Sequence, residues 1–384
     1  MGEVVQIVGG GTPDSSNADY WDGDIDWYTP SEIGESRSVQ TSAKKITREG
    51  LDHSSARLLP AGSILFTSRA SIGLMAFISR PSATNQGFQS LVPSNNVDSN
   101  FLYALGPYIS RYAKKHAAGS TFIEISGSSL AKAPLRIPSL AEQRRIGEFF
   151  SALDGLIAAA ERQEDLLKQK KQAYLQLMFP QEGETEPRLR FAGFSGEWQQ
   201  KMVGDLVGKT FGGGTPSTSN SEYWIGRLPW IQSSNLADGQ IFRVDVEKHI
   251  SDIALQHSSA QLIPAGSIAV VTHVGVGKLA LVPFEYSTSQ DFISLGDLKC
   301  DSRFLSLALQ ERLRKDLRVV QGSTIKGITK QDLLHKKLTL PKQRDEQARI
   351  ATFLMLFGKT IAQINERKAL LQRMKEAYLQ RLFL

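Results

Sequence analysis

Cysteine is nearly missing from this chain. Cys300 is the only one in 384 residues, which excludes an internal disulfide and any zinc cluster built on thiolates. Histidine is sparse as well, six in all, and none has the H-E-x-x-H spacing that puts two imidazoles on one helix face. No apolar run reaches the roughly 18 residues of a membrane span, and Met1-Gly2-Glu3-Val4 lacks the basic and apolar regions of a secretory signal. The expected setting is cytoplasmic, with no membrane partner. Phosphate and cofactor loops are missing too. Gly275-Val276-Gly277-Lys278-Leu279 has neither the spacing nor the hydroxyl of a G-x-x-x-x-G-K-[ST] loop. Phe211-Gly212-Gly213-Gly214 runs into Thr215-Pro216 without the strand–loop–helix context of a dinucleotide site, and reads as a tight turn. No Asn-Pro-Pro-Tyr or Asp-Pro-Pro-Tyr tetrapeptide is present, which argues against an amino-methyltransferase active site. His53 and His257 each sit beside Ser-Ser and read as turn caps. The chain reads as non-catalytic, with no catalytic residue, cofactor site or metal site of its own.

Charge of one sign is not abundant either. The balance is 45 Lys+Arg against 39 Asp+Glu, net +6, which permits a polyanionic partner without demanding one. Residues 1–140 carry 12 basic and 12 acidic side chains, and 195–341 carry 16 and 14. The last 43 residues, with 9 and 4, hold +5 of the +6.

What the sequence does contain is one module written twice. Gly11-Thr12-Pro13 recurs as Gly214-Thr215-Pro216, Tyr20-Trp21 as Tyr223-Trp224, and Trp27 as Trp230. His53-Ser54-Ser55-Ala56 recurs as His257-Ser258-Ser259-Ala260, and Pro60-Ala61-Gly62-Ser63-Ile64 as Pro264-Ala265-Gly266-Ser267-Ile268. Gly119-Ser120-Thr121 returns as Gly322-Ser323-Thr324, Glu142-Gln143 as Glu346-Gln347, and Ala173-Tyr174-Leu175-Gln176 as Ala377-Tyr378-Leu379-Gln380. The offset stays at 203 or 204, so this is a duplicated domain pair and not a solenoid.

The expected fold class is α+β, with two tandem mixed α/β domains, each followed by a long helix. Turn signals feed strand-like runs at 64–67 and 268–272, with following strands at 74–78 and 279–282. Helical spacing covers 101–116 and 304–320. Apolar residues then recur at alternating four and three over Ile146–Met178 and Ile350–Leu382. Nearly five heptads, roughly 50 Å of helix, exceed what most globular cores need and favour two helices paired with each other over helices packed on their own domains. Charges interrupt both seams, Glu164 and Lys171 in one, Lys368 and Lys375 in the other. Such residues fix register or meet another partner. The expected boundaries are a first domain at 1–140, its helix at 141–180, a linker and leader at 181–194, a second domain at 195–341 and its helix at 342–384. The leader Pro187–Trp198 has no counterpart before Met1, so the first copy begins about twenty residues late: either the natural chain starts short, or the sequence lacks its true N-terminus.

Late in each mixed part a basic helix runs into the Gly-Ser-Thr loop. The first copy offers Arg111, Lys114 and Lys115 before Ser120 and Thr121; the second offers Arg314 and Arg318 before Ser323, Thr324 and Lys326. Cationic side chains neutralise phosphates, and loop hydroxyls and N–H groups position a nucleic-acid backbone. Thr329 reads as a helix N-cap, whose N–H groups could also meet a phosphate. Arg suits guanine and Asn or Gln suits adenine in the major groove, so positions that differ between copies are candidate base readers: Arg69 against His273, Asn85 against Ser289, and Glu32 against Asn235. Gln86 matches Gln290 and fits a common DNA contact or a structural hydrogen bond. The Tyr-Trp pairs fit core packing at least as well as base contact.

These motifs, in this order and duplicated, resemble the DNA-specificity subunit of type I restriction–modification systems, over essentially the whole chain. The Gly-Gly-Thr-Pro…Tyr-Trp opening, the Leu-Arg-Phe-x-Gly-Phe-x-Gly-x-Trp leader from Leu189, the Gly-Ser-Thr loop, the Glu-Gln-x-x-Ile helix start and the Ala-Tyr-Leu-Gln ending carry the likeness. The resemblance implies two target-recognition domains reading a bipartite site in double-stranded DNA. It implies long helices paired as an antiparallel coiled coil with pseudo-two-fold symmetry, acting as a ruler for the unread spacer. It further implies two methyltransferase subunits that bind S-adenosylmethionine and methylate an adenine in each half-site, and motor–nuclease subunits using ATP and Mg²⁺. Two other classes stay open at this point: part of a methyltransferase, which would need a cofactor domain, and a coiled-coil protein–protein adaptor without DNA readout.

Overall fold

The computed structural model describes residues 1–34, 36–119, 123–319 and 327–383, with Arg318 and Val319 described by backbone alone. The chain divides into two compact units, Met1–Arg162 with Asn365–Leu384, and Gln163–Ile364.

The first unit contains strands β1 (Val5–Gly9), β2 (Trp21–Tyr28), β3 (Ser38–Val39), β4 (Lys44–Ile46), β5 (Ile64–Phe66), β6 (Met75–Ile78), β7 (Ser82–Thr84) and β8 (Gln89–Pro93). Helices α1 (Arg48–Asp52), α2 (Ser99–Ala104), α3 (Gly106–His116) and α4 (Gly127–Ala131) accompany them, followed by the start of α5 (Leu140–Met178). One sheet runs β1-β8-β5-β6-β3 and a smaller one β4-β2-β7. The central strand β5 is buried on both faces, and its alternation divides the core in two. Ile64 and Phe66 pack with Phe101, Leu102 and Ile109 from α2 and α3, while Leu65 packs with Tyr28, Leu59 and Phe88. The helical stretch expected over 101–116 is two helices that break at Leu105. Pro107 sits in the first turn of the second one, where its missing N–H and fixed φ suit a helix start and forbid continuation from the preceding turn.

The second unit repeats this plan. It contains β9 (Gln199–Met202), α6 (Val203–Leu206), β10 (Val207–Gly212), β11 (Leu228–Ile231), β12 (Lys248–Ile250), α7 (Asp252–His257), β13 (Ser267–Val271), β14 (Leu279–Val282), β15 (Ser287–Thr288), β16 (Phe292–Leu298), α8 (Ser302–Val319), α9 (Lys330–Leu334), β17 (Lys337–Leu340) and the start of α10 (Arg344–Phe383). Its sheets run β10-β16-β13-β14, β12-β11-β15 and β17-β9, so the first two reproduce β1-β8-β5-β6 and β4-β2-β7. The alternation of β13 matches that of β5: Ile268 and Val270 face Phe304 and Leu309 of α8, and Ala269 and Val271 face Tyr286 and Phe292.

The repeated Glu-Gln motif is a joint in both copies. Gln143 and Gln347 are both buried. The Gln143 side chain accepts from Asp98 N at 3.0 Å and donates to the Asn96 and Pro138 carbonyls. Gln347 accepts from Asp301 N at 2.9 Å and donates to Pro341 O. Each glutamine ties the start of a long helix to the loop that caps the preceding helix, where Asp98 or Asp301 is the N-cap. In the leader, Arg190 makes a two-bonded pair with buried Glu346 at 2.7 and 2.9 Å, and Trp198 lies buried against Phe179 and Phe304.

The long helices have 39 and 40 residues, roughly 60 Å each. In the first unit the beginning of α5 meets the end of α10: Phe149 stacks edge-on with Tyr378 at 5.0 Å, Phe150 lies 5.9 Å from Phe383, and Lys375 pairs with Asp154 at 2.7 Å. In the second, the end of α5 meets the beginning of α10, with Tyr174 against Phe353 and Phe357. The pairing is antiparallel in both. Asp154 also accepts from Arg37 at 2.6 Å, so the charge at Lys375 meets a partner. Lys171 lies beside α8; burial, and then the Arg314 cation, pull its pKa down against the opposing effect of Glu311.

Candidate nucleic-acid interface

The candidate readers sit where strands of the two sheets end side by side. In the first unit, Thr67 closes the loop after β5 by donating to Ser71 O and accepting from Leu74 N at 2.9 Å. The next residue, Ser68, joins two neighbouring segments: its N–H reaches Gly87 O at 2.8 Å, and its carbonyl accepts from Ile125 N at 3.0 Å. Arg69 follows, bridged through its backbone to Glu124. Its side chain lies over the 85–87 turn, where the absent Cβ of Gly87 leaves room: that atom would come within 3.4 Å of Arg69 Nε and 2.7 Å of Pro30 Cγ. Ala70 holds a φ of 58°, a left-handed conformation that costs a non-glycine residue roughly 1–2 kcal/mol. The Asn85 side chain accepts from Gly87 N at 2.8 Å and so shapes the turn that presents Gln86. Arg69, Asn85 and Gln86 therefore form one surface. Arg111, Lys114 and Lys115 stand on the exposed side of α3, opposite buried Ile109 and Ala113. Ser120 and Thr121 lie outside the described residues.

The second unit builds the same corner with different side chains. Thr272 N–H and Oγ1 both donate to Asp291 O, at 2.7 and 2.9 Å, and Thr272 O accepts from Ile328 N at 2.8 Å. His273 is exposed, its Nδ1 3.2 Å from Thr272 Oγ1. Because that hydroxyl proton already points at Asp291 O, a hydrogen bond between the two would be donated by the ring through Nδ1. Gly327 fits beside it; a Cβ there would meet His273 Cδ2 at 3.0 Å. Ser289 is buried and accepts from Asp291 N at 3.4 Å, the turn-shaping role that Asn85 has in the other copy. Gln290 is exposed beside it.

Besides buried Ser289, Asn235 and Arg314 are not presented on these corners either. Asn235 is buried, its carbonyl side accepting from Gln232 N at 2.8 Å. Its counterpart Glu32 accepts from Thr29 N and Ala43 N, so this pair of positions secures a loop and presents no side chain to a ligand. Arg314 turns onto α5 and reaches Gln172 at 3.3 Å and Glu311 at 3.2 Å. The Arg318 side chain, Ser323, Thr324 and Lys326 lie outside the described residues. The Thr329 cap is as expected, but the carboxylate of Asp332 accepts from its N–H and hydroxyl, which places negative charge at the end proposed for phosphate. The Tyr-Trp pairs are packing: Trp21 and Trp224 stand edge-on to Trp27 and Trp230 at 5.1 and 5.0 Å. Two residues on the same loops had no sequence signal beyond their exposure here, Ile123, 62% exposed, and Val274, 70% exposed. Apolar tips of this kind suit a thymine methyl. Among the described residues no cluster of His, Cys, Asp or Glu could hold a metal, and no helix is long and apolar enough to cross a membrane.

The sequence pattern of the family described as Type I restriction modification DNA specificity domain matches residues 1–169 and 195–373. This chain belongs to that family. It is a DNA sequence-specificity subunit, a recognition component and not a catalyst. The type I restriction enzyme MjaIX specificity subunit of Methanocaldococcus jannaschii is 26% identical over 99% of this chain and 90% of its own length. The EcoR124I/EcoR124II specificity subunit of Escherichia coli is 32% identical over 45% of each. Among solved structures, the S subunit of the type I restriction–modification system from M. genitalium superposes with a TM-score of 0.66 at 12% identity, covering 100% of this chain and 94% of that one. A chain from a structure concerned with complex assembly and conformational transition of the type I system does so at 0.55 and 18% identity, covering 99% and 95%. The tandem fold of the specificity subunit is thereby the fold found here.

Proposed function

We propose that this specificity subunit reads a DNA site split into two half-sites. Residues 1–140 take one and 195–341 the other, 141–180 and 342–384 set the unread spacing, and 181–194 form the linker and leader. The observation that carries this reading is the same exposed corner built twice from duplicated sequence, with different side chains at its reading positions: Arg69 with Asn85 in one copy, His273 in the other. Arg111, Lys114 and Lys115, with Ser120 and Thr121, grip the backbone in the first module; Arg318, Ser323, Thr324 and Lys326 do so in the second. Asn235, Ser289 and Arg314 shape the modules from within. Two methyltransferase subunits supply S-adenosylmethionine and methylate an adenine in each half-site. Motor–nuclease subunits supply ATP and Mg²⁺ chemistry, and the assembly works on DNA in the cytoplasm.

Filter binding of the chain with its methyltransferase partner tests this. A bipartite preference that survives physiological salt is expected; a preference that is not split into two half-sites would overturn this reading. Arg69→Ala is expected to relax one half-site by about 1–3 kcal/mol and leave the other intact. An unaltered preference would make Arg69 a scaffold residue.

A further inference from the structure

The Gly-Thr-Pro motif and the shared glutamine form one built unit in each module. Gly11 N donates to Thr84 O at 2.9 Å and Gly214 N to Thr288 O at 2.8 Å. The carbonyls of the same glycines accept from the indoles of buried Trp27 and Trp230 at 2.8 and 3.0 Å. Neither motif tolerates a side chain at its glycines: a Cβ on Gly10 or Gly213 would strike the carbonyl of Asn85 or Ser289, and one on Gly11 or Gly214 would strike Ser55 or Ser259. What this frame holds outward is the same in both copies. Thr12 Oγ1 donates to Gln86 Oε1 at 2.5 Å, and Thr215 Oγ1 to Gln290 Oε1 at 2.5 Å, and all four residues are exposed.

An exposed hydrogen bond between two side chains gains little by itself, so its repetition at matched positions needs another reason. The threonine fixes the amide plane and occupies its carbonyl side. The outward group is the amide nitrogen, which has no partner among the described residues, so each pair presents donors. Around these glutamines the modules differ, Arg69 against His273 and Asn85 against Ser289. The glutamine pairs do not. Two half-sites of different sequence share their phosphate backbone, whose oxygens only accept. We infer that Thr12–Gln86 and Thr215–Gln290 are matched phosphate clamps, which seat each half-site in the same register and carry no sequence preference. Gln86 and Gln290 touch the phosphate; Thr12 and Thr215 are positioning residues. This rests on the reading of the two corners as DNA-facing.

The test uses the full-length chain assembled with its methyltransferase partner. Gln86→Ala and Gln290→Ala are titrated against the cognate duplex and against duplexes changed one base pair at a time, over a range of salt, with thermal melts to verify folding. Each variant is expected to lose roughly three- to tenfold in affinity, by the same factor on every duplex. The salt slope should stay unchanged, because a neutral amide releases no counterion, whereas loss of a lysine contact lowers it by about 1. Thr12→Val should reproduce part of the Gln86→Ala loss. A loss confined to one base pair, as for bidentate reading of an adenine, would overturn the clamp. So would wild-type affinity in Gln86→Ala while Arg69→Ala still alters preference, a result that leaves the DNA-facing reading intact. If Gln86→Ala, Gln290→Ala and Arg69→Ala all bind as wild type, the corner is not the DNA face and both readings fall.

Discussion

Asp26 is fully buried in the small sheet of the first unit, and both of its carboxylate oxygens are met by donors. Ser42 N donates at 2.9 Å, the Thr41 and Ser42 hydroxyls at 3.0 and 3.1 Å, and the Arg80 guanidinium pairs with the second oxygen. Burial pushes this carboxyl up, but the hydrogen bonds from Ser42, Arg80 and Thr41 together outweigh it, and the group titrates below its usual value. The unfolded chain therefore binds the proton more readily. The stabilisation is fully present above the ordinary aspartate range and is lost as pH falls through it toward the folded value. Asp26→Ala is expected to cost about 1–3 kcal/mol in urea unfolding at pH 7, and the gap between wild type and Asp26→Asn should narrow below about pH 4. At Ala70 the opposite change is expected: Ala70→Gly should stabilise by about 1 kcal/mol by removing the left-handed penalty, read in the same unfolding experiment. None of this was legible from one sequence. Alignment of the copies showed which residues differ, but not which of them face outward. It offered Asn235 and Arg69 on equal terms, and burial separates them. Val274 and Ile123 were missed because an exposed apolar loop residue and a core residue have the same letter.

The paired helices were legible because their periodicity is long and their ends carry the same motif. Strands of two residues, such as β3 and β15, have no period to read. The break at Leu105 was foreshadowed by Pro107, but the apolar spacing ran across it. The seam charges also resolve at this scale. Lys375 has Asp154 opposite it, whereas the residue matching Asp154 in the second copy is Gly358, and Lys171 is left beside a second cation, Arg314. Lys171→Met is therefore expected to stabilise by roughly 1–2 kcal/mol at pH 7. Since the folded chain releases this proton more readily, the advantage should shrink as pH rises toward the ordinary lysine range; an advantage that does not change with pH would contradict that cause. For the proposed ruler, one heptad added to both α5 and α10 lengthens each by about 10 Å. It should lengthen the unread spacer by about three base pairs, as read by methylation of a spacer-length library.

At the scale of the whole molecule, the net charge of +6 is a poor guide to DNA binding. The expected modules 1–140 and 195–341 carry 0 and +2, and the excess lies on the last helix. Counterion release depends on the few cations at the proposed interface, such as Arg111, Lys114 and Lys115, and not on the net charge of a module. The duplication was fully visible in sequence and underlies the proposal that two matched corners each read one half of a split site. Mapping methyladenine at single-molecule resolution in DNA exposed to this chain and its methyltransferase partner tests it most directly. One split motif with a constant gap and one modified adenine in each half is expected, and replacement of residues 1–140 by those of another family member should change only one half. A continuous motif, or a swap that alters both halves, would contradict the account.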